Sequence, residues 1–100
     1  MKYMNKKICF AIRNKNRLKI DYKGTKRIIE PHAYGLDRNN NEKLRAFQVS
    51  GFSESGHSNG WKLFNCENIN NIIELSESFE VRPKYSYSGD SQIPNIICMI

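Results

Sequence analysis

The chain of 100 residues has no long hydrophobic run, and even its apolar tail, Ile96-Ile97-Cys98-Met99-Ile100, is only a few residues long. A membrane-spanning helix needs about 20 apolar residues in succession, so the pattern excludes one. Charges at Lys2, Lys6, Lys7 and Arg13 leave no apolar stretch for a signal peptide, and a small soluble cytoplasmic domain is expected. Cysteine is sparse: Cys9, Cys66 and Cys98 are odd in number, far apart and without a C-x-x-C pair. That spacing signals neither a disulfide framework nor a zinc knuckle; it predicts three reduced thiols, two of them within apolar runs of the core. Only His32 and His57 could add metal ligands, and neither sits at ligand spacing, so no metal or other cofactor is expected. Catalytic motifs are missing too. No G-x-S-x-G, P-loop or H-E-x-x-H occurs, and Ser55-Gly56-His57 lacks a placed third member, so a non-enzymatic protein is expected.

Acidic residues are scarce in one region. Residues 1–27 hold ten basic side chains against the single acid Asp21, a balance of +9, whereas residues 28–100 hold six against nine, a balance of −3, and the whole is +6. This asymmetry predicts a positive face suited to phosphate-bearing partners, above all nucleic acid. The plain alternative is a solvated, lysine-rich surface. Hydrophobic residues make up 39% and charged residues 26%, which is enough apolar material for one core and too short a chain for two.

Met4, Ile8, Ala11 and Ile12 recur at helical spacing and predict an amphipathic helix from about Tyr3 to Asn14, with Lys6, Lys7 and Arg13 on its polar side. The period then changes to two. Leu18, Ile20 and Tyr22 alternate with Lys19 and Asp21, Lys23-Gly24-Thr25 supplies a turn, and Lys26 to Glu30 returns as a second strand. Pro31 cannot donate to a ladder and marks a strand end, an edge or a bulge. His32 to Leu36 resumes extended structure, followed by the turn-rich Asp37 to Asn41. Leu44 to Phe52 alternates again, with Leu44, Ala46 and Gln48 on one face and Arg45, Phe47 and Val49 on the other. Ser53 to Gly60 reads as an exposed loop, Trp61 to Cys66 and Ile69 to Leu75 as strands. The sum is a mainly β chain: a small antiparallel sheet or barrel capped by one helix. The apolar tail fits a last strand on that sheet, or one exchanged with a second subunit in a homo-oligomer.

In order and spacing, Leu18-Lys19-Ile20-Asp21-Tyr22 followed by Arg27-Ile28-Ile29-Glu30-Pro31-His32-Ala33-Tyr34-Gly35 resembles the opening of WYL domains, I-x-Y … R-x-(V/I)-x-P-x-x-(L/Y). Leu44-Arg45-Ala46-Phe47 is similar to the strand that follows, and Trp61 to Ile69 resembles the family's closing R-x-F-x-L-d-R-I. The likeness runs from about Cys9 to Phe79, and the naming tripeptide falls at Glu42-Lys43-Leu44, where the leucine alone is kept. The resemblance implies an Sm-like or SH3-like small β-barrel over about residues 17–80, with one N-terminal helix and a C-terminal extension over about 81–100. It also implies a bacterial regulatory module, used in transcription or defence, that binds nucleic acid or a nucleotide-like ligand, single-stranded RNA or DNA being favoured.

Five residues are candidates for that ligand. Arg27 and Arg45 match family positions on strands, and each reads as a fork for phosphate or as a structural partner of Glu30, Glu42 or Glu67. Tyr34 and His32, near the Pro31 bend, read as a stacking platform for a base, or as a packed tyrosine and a satisfied histidine. Lys62 matches the closing motif's basic position, where it closes the same anion seat or is an ordinary strand lysine. Trp61 and Phe47 are assigned to the core.

Overall fold

The computed structural model describes residues 5–51 and 59–100. Helix α1 (Asn5–Asn14) presents Ile8, Ala11 and Ile12 to the interior with essentially no exposure. Burying each isoleucine contributes roughly 1.5–3 kcal/mol, which is what holds so short a helix in place. It ends at Lys15, whose left-handed backbone (φ 52) turns the chain while its N–H bonds to the Ile12 carbonyl. The expected helix start at Tyr3 and the stripe member Met4 lie outside the described residues.

Strands β1 (Asn16–Tyr22) and β2 (Thr25–Leu36) form a hairpin through Lys23 and Gly24, with φ of 51° and 80°. Two consecutive positive φ values match the right-handed twist of the flanking strands, which is why a two-residue loop suffices. β2 does not stop at Pro31, so the two extended stretches read from the sequence are one strand. Its register against β3 (Glu42–Gly51) slips between Pro31 and Ala33, and the proline sits where that bulge needs no ladder donor.

β4 (Gly60–Asn65) pairs with β3, a 3-10 turn (Cys66–Asn68) follows, and β5 (Ile69–Ser78) returns to pair with β1. The tail forms β6 (Asn95–Met99), which pairs with the second half of β2 beyond its β1 contacts, in the same chain. All pairings are antiparallel, in the order β4-β3-β2-β1-β5 with β6 on β2. The molecule is thus mainly β with one helix, as the alternation predicted. Most of the loop read at Ser53 to Gly60 lies outside the described residues, and Gly60 already belongs to β4.

The sheet has two unlike faces. Leu18, Ile20, Ile29, Tyr34, Leu44, Ala46 and Phe64 pack with α1 in the main core. The opposite face carries Glu30, His32, Phe47 and Trp61, which are covered by the segment 79–94 between β5 and β6. Phe47 and Trp61 are half-buried in this second layer, edge to face at 5.7 Å, and so do not belong to the main core as assigned. No helix among the described residues is long and apolar enough to cross a membrane.

The thiols differ from expectation. Cys9 on α1 and Cys98 on β6 are joined as a disulfide, their Cα atoms 5.7 Å apart, although 89 residues separate them in sequence. Packing α1 across β6 brings them together, a juxtaposition that sequence spacing does not encode. Cys66 remains free and buried, and burial pushes its thiol up to about 12, which leaves it unreactive.

Candidate functional site

Segment 79–94 is laid over the sheet by charge. Glu30, 1% exposed, accepts from Arg17 Nε at 3.0 Å and from Arg82 Nε and Nη2 at 2.6 and 3.2 Å. A buried carboxylate is tolerated only with such partners. Arg82 also lies over the Phe47 ring at 4.2 Å, and the Phe79 N–H bonds to the Lys15 carbonyl at 2.8 Å. At the other end of the segment, Ile93 is fully buried against Gly35, where even a Cβ would stand 2.7 Å from the isoleucine side chain. With both ends pinned, the middle of the strap is presented to β3 and β4.

His32 is the floor of this arrangement and has no exposure. Its Nε2 accepts the Arg82 backbone N–H at 3.2 Å, so Nδ1 carries the proton and donates to the Glu30 carbonyl at 2.8 Å. Rings of Trp61, Tyr85 and Phe79 surround it at 4.7, 5.0 and 5.1 Å between centroids. Burial is the largest influence on the imidazole and lowers its pKa below the ordinary 6.5, the backbone bond and carboxylate of Glu30 opposing it. A protonated ring would also lose the acceptor for Arg82 N–H. The unfolded chain therefore takes up the proton first as pH falls below about 6.5. Stability from the neutral ring is full above that pH and drains away as pH drops toward the lowered folded value. Denaturant melts between pH 7.5 and 5 are expected to show this loss, and His32→Asn is expected to flatten it; equal pH slopes for the two proteins would refute the assignment.

Beside this floor is a cavity of about 520 Å³. Arg45 from β3 and Trp61 from β4 form its sheet side; Lys84, Tyr85, Ser86, Ser88, Asp90 and Ser91 form its strap side. The Trp61 and Tyr85 rings are near parallel, 21° apart with centroids at 6.2 Å. The Tyr85 hydroxyl lies 3.2 Å from the carbonyl oxygens of His32 and Ile100, and burial, aided by the nearby Asp90, pushes its pKa up to about 12. It stays a neutral donor. Arg45 grips Asp90 with two bonds, Nε to Oδ2 at 2.7 Å and Nη2 to Oδ1 at 3.3 Å. Burial works against ionisation of Asp90, but Arg45 and the Gln92 N–H outweigh it and hold the carboxyl below its usual range. Two cations, flat apolar walls and several hydroxyls are the donor set for an anion attached to a ring.

The five residues expected to share one anion seat do not meet. Arg45 lines the cavity and His32 supports its ring walls, but the other three lie on the α1 side of the sheet. Arg27 is 5% exposed, its guanidinium 4.9 Å from the Tyr22 ring centroid and 6.0 Å from that of Phe64, with Nε donating to Thr25 Oγ1 at 3.1 Å. Tyr34 is fully buried and its hydroxyl bonds to Glu42, so its ring offers no platform to a base. Lys62 stands opposite the core residue Ala46 and hence on that same face. The carboxylate partners considered for the arginines also differ: Arg45 is held by Asp90, and Glu30 serves Arg17 and Arg82.

Sequence reasoning missed Lys84, Tyr85 and Asp90, because residues 79–94 carry no sustained helical or strand pattern and no motif. The alternation of ring and hydroxyl in Tyr85-Ser86-Tyr87-Ser88 was the available signal. No family model, no curated protein and no solved structure matches the chain.

Proposed function

We propose that this protein is a WYL-like regulatory module, folded as an Sm-like small barrel, that binds a nucleotide-like anion between β3, β4 and the strap. The carrying observation is the placement of Arg45 and Lys84 beside the Trp61 and Tyr85 rings in one cavity. Its volume suits a mononucleotide or one residue of a strand. The helix before β1 and the 3-10 turn between β4 and β5 are what suggest the barrel; among the described residues the sheet is open, with no pairing between its end strands β4 and β5. The ordered motif residues support the family reading, and with it a role in bacterial regulation rather than catalysis.

Lys84 adds a second argument. Arg82-Pro83-Lys84-Tyr85 is a turn closed by Tyr85 N–H to the Arg82 carbonyl, with proline second and Lys84 third at φ 71. That third position favours glycine, since a side chain in left-handed backbone costs about 1 kcal/mol. Lys15 and Lys23 share this backbone conformation in turns, and what sets Lys84 apart is its place in the wall of the cavity. Lys84→Gly is therefore expected to hold or raise stability while weakening anion binding about tenfold, the loss of one charge-assisted contact.

Fluorescence anisotropy measures this with a labelled nucleoside monophosphate and with labelled short single-stranded RNA and DNA across a salt series. Salt-sensitive binding of the nucleotide identifies a small-molecule sensor; binding of the strands alone identifies a nucleic-acid reader. Lack of binding to any probe at low salt, or equal binding by Lys84→Gly, would overturn the reading.

A further inference from the structure

We propose that Asp90 is a built-in competitor for the ligand's phosphate: its carboxylate fills the Arg45 fork when the strap is closed, and an entering anion displaces it and releases the strap. The inference rests on the proposed function and gives it a means of regulation.

The geometry is that of substitution. Asp90 offers two oxygens to Nε and Nη2 of Arg45, the same fork that a phosphate would take. With Asp90 in place, Arg45, Lys84 and Asp90 leave the cavity a balance of one positive charge; with the carboxylate gone, the balance is two. Anion affinity must therefore be set against an internal anion that is always present at high local concentration.

The chain around Asp90 is built to move on one side and stay on the other. On its C-terminal side, the Ile93 N–H bonds to the Asp90 carbonyl at 3.0 Å, and the buried Ile93 leads into β6. On its N-terminal side, Gly89 has φ 131, a conformation open to glycine, with no atom within 4 Å of where a Cβ would stand. Ser86, Tyr87 and Ser88 before it are exposed. Loss of the Arg45 contact thus frees the exposed stretch 86–89 with the Asp90 side chain, while Tyr85, bonded to the His32 and Ile100 carbonyls, and Ile93 stay seated. The Asp90 carboxylate also accepts the Gln92 N–H at 2.9 Å, so its departure leaves that amide unprotected. Ligand occupancy becomes strap mobility, a signal that a partner can read.

The test titrates adenosine and uridine 5′-monophosphates into the wild type, Asp90→Asn and Asp90→Glu, and follows amide exchange at Gln92 in the wild type. Asp90→Asn is expected to bind about tenfold more tightly, because an opposing charge is removed, and Asp90→Glu to bind as the wild type does. Saturating nucleotide is expected to speed exchange at Gln92. Equal affinity in all three chains, or weaker binding by a folded Asp90→Asn, would overturn the competitor role while leaving the site itself standing. Absence of binding in all three would overturn the site and the competitor with it. If Asp90→Asn fails to fold, exchange at Gln92 in the wild type decides: unchanged or slower exchange with bound nucleotide refutes release.

Discussion

Reduction of the Cys9–Cys98 bridge, or the double replacement Cys9→Ser with Cys98→Ser, is expected to lower the unfolding free energy by about 4 kcal/mol. The bridge spans 89 residues of sequence and so closes nearly the whole chain into a loop. Removing that constraint enlarges the unfolded ensemble by an amount worth about 4–5 kcal/mol in the chain-entropy picture. Both cysteines are nearly buried, α1 is only ten residues long and β6 only five, so each element is anchored largely by the other. For a chain of this size the loss corresponds to a fall in Tm of roughly 20 °C. Denaturant and thermal melts with and without reductant measure it. Alkylation of the denatured, unreduced protein followed by mass measurement is expected to label one thiol, Cys66. Three labelled thiols, or a melt indifferent to reductant, would refute the bridge. The same labelling on protein recovered from its own cell reads the compartment, since such bridges persist in oxidising surroundings and are rare in the cytosol.

Glu30→Ala is expected to cost about 3 kcal/mol. The carboxylate is buried and holds both Arg17 and Arg82, so its removal strands the Arg82 guanidinium and leaves Arg17 only its 3.7 Å contact with the exposed Glu77. Breaking a buried ion pair costs 3–5 kcal/mol, and the lower end applies because Arg17 and Arg82 are 30% and 33% exposed and regain some water. The damage spreads: Arg82 also supplies the backbone N–H that fixes the His32 ring, and it covers Phe47. Glu30→Gln keeps an acceptor and is expected to lose less. Urea melts of both variants check the ranking. A Glu30→Ala protein within 0.5 kcal/mol of the wild type would show that the triad does not fasten the strap.

What the sequence revealed was local. The stripe Ile8, Ala11, Ile12 marks α1, the alternation Leu18-Ile20-Tyr22 with Lys23-Gly24 marks the hairpin, and the alternation in β3 sets Leu44, Ala46 and Gln48 on one face, which the structure buries. What stayed hidden was long-range. Arg45 finds Asp90 across 45 positions and Glu30 finds Arg82 across 52, pairings that no window of the chain displays. The bulge at Pro31–Ala33 mattered most for the site. Counting in twos places His32 and Tyr34 on one face, but the slipped register sends Tyr34 into the α1 core and His32 to the strap. A single extra residue thus divided the expected anion seat. Arg45 and Lys62 were divided more simply, since neighbours of opposite parity across paired strands face opposite ways.

Trp61 is the only tryptophan in the chain and a wall of the cavity, so its own fluorescence reports occupancy without a label. Titration of the wild type and of Arg45→Ala with a nucleoside monophosphate at low salt is the most direct measurement. A saturable change in Trp61 emission is expected in the wild type, weakened at least tenfold by Arg45→Ala and diminished by added salt. Emission that does not respond in the folded wild type, or that responds identically in Arg45→Ala, would contradict an anion site between the sheet and its strap.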